Sequence, residues 1–218
     1  MLILGGAFAL QMPGLKGKGP ALKRQPIFGL LKEKNLILLI LLILFGVGTQ
    51  NGLFLWLVSF LKEARSFSIF LASVGLALFS AGMAAGRLSS GWMAARWKNT
   101  RVILILLCLL NLDLLLLIFL SGKGLILILC FMAGFGCSGL FPCLLALGGI
   151  CFPRWAGTAM GLLGTAAGIG STLVSGWISL ASQGVGVGTG FFINLLTALI
   201  ALTLVAASYR RLKASEEP

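Results

Sequence analysis

A chain of 218 residues that is 59% hydrophobic and only 10% charged, with a mean hydropathy of +1.07, is excluded from the soluble globular class. Its net charge of +12, from 17 basic and 5 acidic residues, does not indicate nucleic acid, because the basic residues sit in short loops beside long apolar runs. The five cysteines, Cys108, Cys130, Cys137, Cys143 and Cys151, all lie within those runs as small buried hydrophobes, so neither a disulfide framework nor a metal site is expected, and no cofactor.

In chain order, the apolar stretch Met1 to Met12 is too short to cross a bilayer and lacks the basic flank and cleavage site of a signal peptide. It reads as the last turns of a preceding membrane helix, so the chain is expected to begin mid-protein. Residues 13–35 follow as a basic linker rich in Gly, Pro and Lys. Six long apolar segments then occupy residues 36–209: Leu36 to Leu61, Phe67 to Ala94, Val102 to Leu120, Leu125 to Phe152, Gly157 to Ala181 and Gly188 to Tyr209. Each is long enough for the roughly 20 helical residues that cover a ~30 Å hydrocarbon core. In lipid the backbone must satisfy its own hydrogen bonds, and these runs lack the apolar/polar alternation of barrel strands, so all six are predicted helices. Residues 210–218 form a polar tail.

The loops carry an orientation. One side holds Lys16, Lys18, Lys23, Arg24, Lys32, Lys34, Arg96, Lys98, Arg101, Arg154, Arg210, Arg211 and Lys213, and the other only Lys62, Arg65 and Lys123. The positive-inside rule therefore puts both ends of the six-helix block in the cytoplasm, and the plasma (inner) membrane is the expected location.

Polar residues inside the spans are the site candidates, since intramembrane polarity is costly and faces a bundle interior. Gln50 and Asn51 fall near the middle of the first span, where transporter substrate sites lie, and either line a cavity or bond between helices. Trp56, further on, could stack on a solute, although an interfacial aromatic belt is the commoner role. Arg87 and Asp113 lie at similar depths in the second and third spans. A structural charge pair between them is favoured over a proton-coupling role for Asp113, since pairing offsets two desolvation costs. Pro142 should kink the fourth span. Gly157, Gly161, Gly164 and Gly168 share one face of the fifth, a pattern of close helix packing, sliding or static, that Gly82 and Gly86 repeat in the second. Ser138, Thr165, Ser171, Thr172, Ser175 and Asn194 are weaker signals, because such side chains bond back to their own helix or to a neighbour.

Two stretches carry a resemblance. Gly86-Arg87-Leu88-Ser89-Ser90-Gly91-Trp92-Met93-Ala94-Ala95-Arg96-Trp97, at the end of the second span, is similar to the loop motif of the major facilitator superfamily, with Ala95 in place of its usual Asp and Lys98 in place of a glycine. Gly134-Phe135-Gly136-Cys137-Ser138-Gly139-Leu140-Phe141-Pro142, followed by Phe152-Pro153-Arg154 and Gly157-Thr158-Ala159-Met160-Gly161, resembles the tenth and eleventh helices of fucose-permease-like members. The resemblance implies an all-α membrane protein, a six-transmembrane-helix bundle that is the C-terminal half of that fold. It makes Gly86, Arg87, Gly91 and Arg96 gating-motif positions. It supports Gln50, whose position is polar or acidic in that branch, and Phe135 joins Gln50, Asn51, Trp56, Ser138 and Thr165 as a candidate substrate contact.

The implied function is alternating-access transport of a small polar solute, sugar-like by resemblance alone, with the lipid bilayer and a missing N-terminal half, or a second copy, as partners. A truncated product is the favoured origin of the half-size chain. The rival is a six-helix membrane protein without transport activity of its own, an assembly partner or channel-like, although neither a selectivity filter nor a charged ring is evident. Gly136-Cys137-Ser138-Gly139 also spells the GxSG of rhomboid proteases, but the chain has no histidine to serve as base, so an enzyme is not expected.

Overall fold

Each apolar run becomes helix, because a backbone surrounded by hydrocarbon must close its own hydrogen bonds. The computed structural model describes residues 27–216, so the stretch Met1 to Met12 and most of the basic linker lie outside the described residues. After a single turn at Ile27–Leu30 come α1 (Lys34–Glu63), α2 (Ile69–Arg96), α3 (Asn99–Phe119), α4 (Lys123–Ser138), α5 (Leu140–Cys151), α6 (Ala156–Val185) and α7 (Val187–Ser215). α4 and α5 together make one span, so the described residues contain six spans long and apolar enough to cross a membrane. The last helix runs past Tyr209 to Ser215, which places Arg210, Arg211 and Lys213 on a helix rather than in a tail. Basic side chains in a last turn suit the partial negative charge there.

Side chains and glycines set the turns. The guanidinium of Arg65, between α1 and α2, donates to the carbonyls of Leu117 (2.7 Å) and Ile118, which have no partner within the last turn of α3. The Ser68 hydroxyl caps α2 by accepting from the Leu71 N–H at 3.3 Å. Gly122 (φ 124°) and Gly186 (φ 102°) turn the chain in a region that side chains disfavour.

α1 packs against α6 and α7, α2 against α4, and α3 against α4 and α7. Small residues let these backbones touch. Gly82 faces the carbonyl of Phe131, Gly134 that of Phe79, and Gly86 the Ser138 hydroxyl and the backbone of Phe135, so the backbones of α2 and α4 come into direct contact at these positions. Gly170 does the same for α6 against Leu44 of α1. The Phe60 and Phe191 rings stack at 3.8 Å between α1 and α7. Thr49 and Thr197 hydrogen-bond at 2.8 Å between the same helices, and Asn111 donates from α3 to the Ala198 carbonyl at 3.1 Å.

One expected contact is absent. A Cβ on Gly157, Gly161, Gly164 or Gly168 would meet nothing within 4 Å among the described residues. The buried face of α6 is instead Ala159, Leu163, Ala166, Gly170, Val174 and Ile178, which turns the glycine stripe outward. The spacing of the stripe marks one face of a helix correctly, but spacing alone does not say which face meets a neighbour.

Candidate functional site: a polar cleft beside a broken helix

Pro142 has no N–H to give to the carbonyl of Ser138, four residues back. The hydrogen-bond ladder of the fourth span is interrupted there for one residue, Gly139, whose backbone stays in the helical region (φ −86°, ψ −11°). α4 stops at Ser138, and α5 starts at Leu140 on the far side of Gly139. The regular pattern resumes with the Cys143 N–H bonded to the Gly139 carbonyl at 3.1 Å. The kink expected from Pro142 is thus a break in the preceding turn.

A cleft of about 540 Å³ opens beside this break. α1 contributes Val47, Gln50 and Asn51, α2 contributes Arg87, α4 and α5 contribute Ser138, Phe141 and Pro142, and α6 contributes Ala167, Gly168 and Ser171. The Asn51 amide donates to the Ser171 hydroxyl (2.6 Å) and to the Val47 carbonyl (3.3 Å). Ser171 in turn donates to the Ala167 carbonyl at 2.7 Å, and Ser138 to the Phe135 carbonyl at 2.9 Å. These groups are already used within the protein. Gln50 is 9% exposed, and its Oε1 has no partner among the described residues. Arg87 is exposed to the cleft, and no described residue gives its guanidinium an ion pair or hydrogen bond.

The structure thus brings Gln50, Asn51 and Ser138 together and adds Arg87 and Ser171 to them. Other candidates lie elsewhere. Trp56 is half-buried against the hydrophobic core and does not line the cleft. Phe135 is half-buried beside Gly86 and offers the cleft only the carbonyl that holds Ser138. Thr165 is exposed and bonds back to the Gly161 carbonyl at 3.0 Å. In the loop motif, Gly91 has open space where a Cβ would be, and the Arg96 guanidinium lies 4.1 Å over the Trp92 ring.

The charge pair between Arg87 and Asp113 does not form. Asp113 is 5% exposed, and neither carboxylate oxygen has a partner among the described residues. Equal depth along two helices says nothing about direction around them. Asp113 lies on α3, which packs on α4 and α7, whereas α2 reaches the cleft from the other side of α4. Ser171, a weak candidate in the sequence, gains its place because Asn51, more than three turns from either end of α1, needs a partner across the α1–α6 contact. Phe141 had no signal beyond its neighbour Pro142. Among the described residues no group of three His, Cys, Asp or Glu side chains is placed to hold a metal ion.

Comparison with known proteins agrees with this architecture. Residues 2–175 match the sequence profile of the Major Facilitator Superfamily. No curated protein sequence matches the chain. The solved transporter FucP in its outward conformation superposes with a TM-score of 0.77 at 16% identity, covering 94% of this chain and 51% of its own. A structure of the E. coli fucose:proton symporter FucP gives 0.66 at 18% identity, over 83% of this chain and 44% of that one. The POT family transporter PepTSo gives 0.70 at 20% identity, over 81% and 37%. The chain therefore spans about half, or less, of the length of the solved transporters it matches. By the match over residues 2–175, this chain belongs to the major facilitator superfamily.

Proposed function

We propose that the chain is the C-terminal six-helix half of a secondary transporter, and that the cleft between α1, α2, the α4–α5 break and α6 is its share of the path for a small polar solute. The observation that carries this reading is the cleft itself: amide, hydroxyl and guanidinium groups gathered where the hydrogen-bond ladder of the fourth span is interrupted, within largely apolar spans. The chain acts in this reading as a carrier rather than an enzyme. A second six-helix unit, from an N-terminal half or a second copy, closes the other wall of the path. Both ends of the block are cytoplasmic in this reading, as the distribution of basic residues favours, and the membrane is taken as the plasma (inner) membrane.

Alternating access gives the test. In membranes of the source cell, a cysteine replacing Ser171 should react with an impermeant maleimide applied from either face, because the cleft opens to each side in turn. The carrier, detected through its Arg210 to Pro218 segment, should run as a species of about twice 22.9 kDa or co-purify with a second six-helix unit. Labelling from one face only, or a solitary 22.9 kDa species, would leave a six-helix membrane protein without transport of its own.

A further inference from the structure

We infer that the solute this cleft accepts is a small organic oxyanion, a carboxylate or a phosphate, seated on Arg87; the inference rests on the transport reading above and names its substrate class. Three observations carry it. First, Arg87 brings a full positive charge into a span. It stands nine residues before the last residue of α2, Arg96, or roughly 14 Å along the axis at 1.5 Å per residue. An uncompensated cation at that depth is costly unless an opposite charge meets it.

Second, the described residues hold no such charge. The sequence has five acidic residues. Glu33 and Glu63 flank α1 at its two ends, Glu216 caps the far end of α7, and Asp113 is enclosed on α3, away from the cleft; Glu217 lies outside the described residues. None of the described four lines the cleft.

Third, the groups left open select the ligand. The Asn51 amide N–H and the Ser138 and Ser171 hydroxyls already donate within the protein, so the Arg87 guanidinium is the charged donor left open in the cleft, beside the unpartnered Gln50 Oε1. A guanidinium has five donors and no acceptor, in a planar fork that matches two oxygens of one oxyanion. A neutral sugar would leave the charge of Arg87 unmet. Val47, Phe141 and Pro142 supply an apolar wall, which suits an organic substituent on the anion.

The test uses the purified 218-residue chain in lipid nanodiscs, with unfolding temperature followed against concentration of acetate, succinate, inorganic phosphate, L-fucose and choline. At least one of the three anions should stabilise the protein with saturation. Arg87→Gln should weaken that apparent affinity by about tenfold or more, and Arg87→Lys should restore part of it. The unfolding temperature of each variant without solute shows that it is folded, and removal of an unpaired intramembrane charge should not lower it. Carboxylate is distinguished from phosphate by which of the three anions stabilises. Stabilisation by fucose or choline alone, or an anion effect that Arg87→Gln leaves intact, would overturn the oxyanion assignment. If that remaining effect is lost in Gln50→Ala, the cleft survives as a solute site. No stabilisation by any of the five compounds overturns the assignment and, with it, the cleft as a binding site.

Discussion

Gly82 and Gly134 face each other's helices so closely that the backbone carbonyls of Phe131 and Phe79 occupy the space a side chain would need. Gly134→Ala should therefore force α2 and α4 apart and cost about 1–3 kcal/mol. Gly161→Ala, on the open face of α6, should be neutral in the isolated chain. Reversible unfolding of both variants in mixed micelles checks the contrast, and equal losses would mean that the stripe is packed after all. Asp113 gives a second prediction at this scale. A buried carboxyl without a partner opposes folding, so Asp113→Leu should raise the unfolding temperature. A fall would show that a partner outside the described residues holds it. Gln50, Asn51 and Ser138 could be found in the sequence because polarity within an apolar run is rare enough to notice. The separation of Arg87 from Asp113 could not, since it depends on which helix lies between them.

At the level of helices, the reading from sequence was good wherever the local rule was strong. Each span falls within a few residues of its apolar run, because desolvation of backbone groups outweighs side-chain preferences. Pro142 disclosed the interrupted span, but the site of the break, at Gly139, follows from the carbonyl that loses its donor. Pro142→Ala should let that bond form and join α4 to α5. The new N–H at position 142 should then exchange slowly, bonded to the Ser138 carbonyl, and fast exchange there would mean that the interruption persists without the proline. Arg65 is a device that no periodicity announces, since it acts across more than fifty residues to cap α3. Arg65→Ala should weaken that end by about 1.5–3 kcal/mol, seen as faster amide exchange at Leu120, whose N–H bonds to the Leu116 carbonyl.

Over the whole molecule, α2 and α6 bury the smallest share of their length, and Leu88, Trp92, Ile169 and Trp177 stand exposed on them. A second six-helix unit would find its contacts there, and the open glycines of α6 would let its backbone come close. The lone guanidinium of Arg87 has an electrical consequence. It sits inside the span, so the field across a polarised membrane acts on it with up to about 2.3 kcal/mol per 100 mV for a full crossing. Under the transport proposed above, rocking that moved this charge through part of the field would make the empty carrier respond to voltage. Once a univalent anion is seated, the two charges cancel and the loaded carrier does not. Membrane potential then governs the return of the unoccupied protein and leaves the passage of its cargo unaffected. Transient currents recorded without solute, and suppressed by a saturating univalent anion, would be its signature.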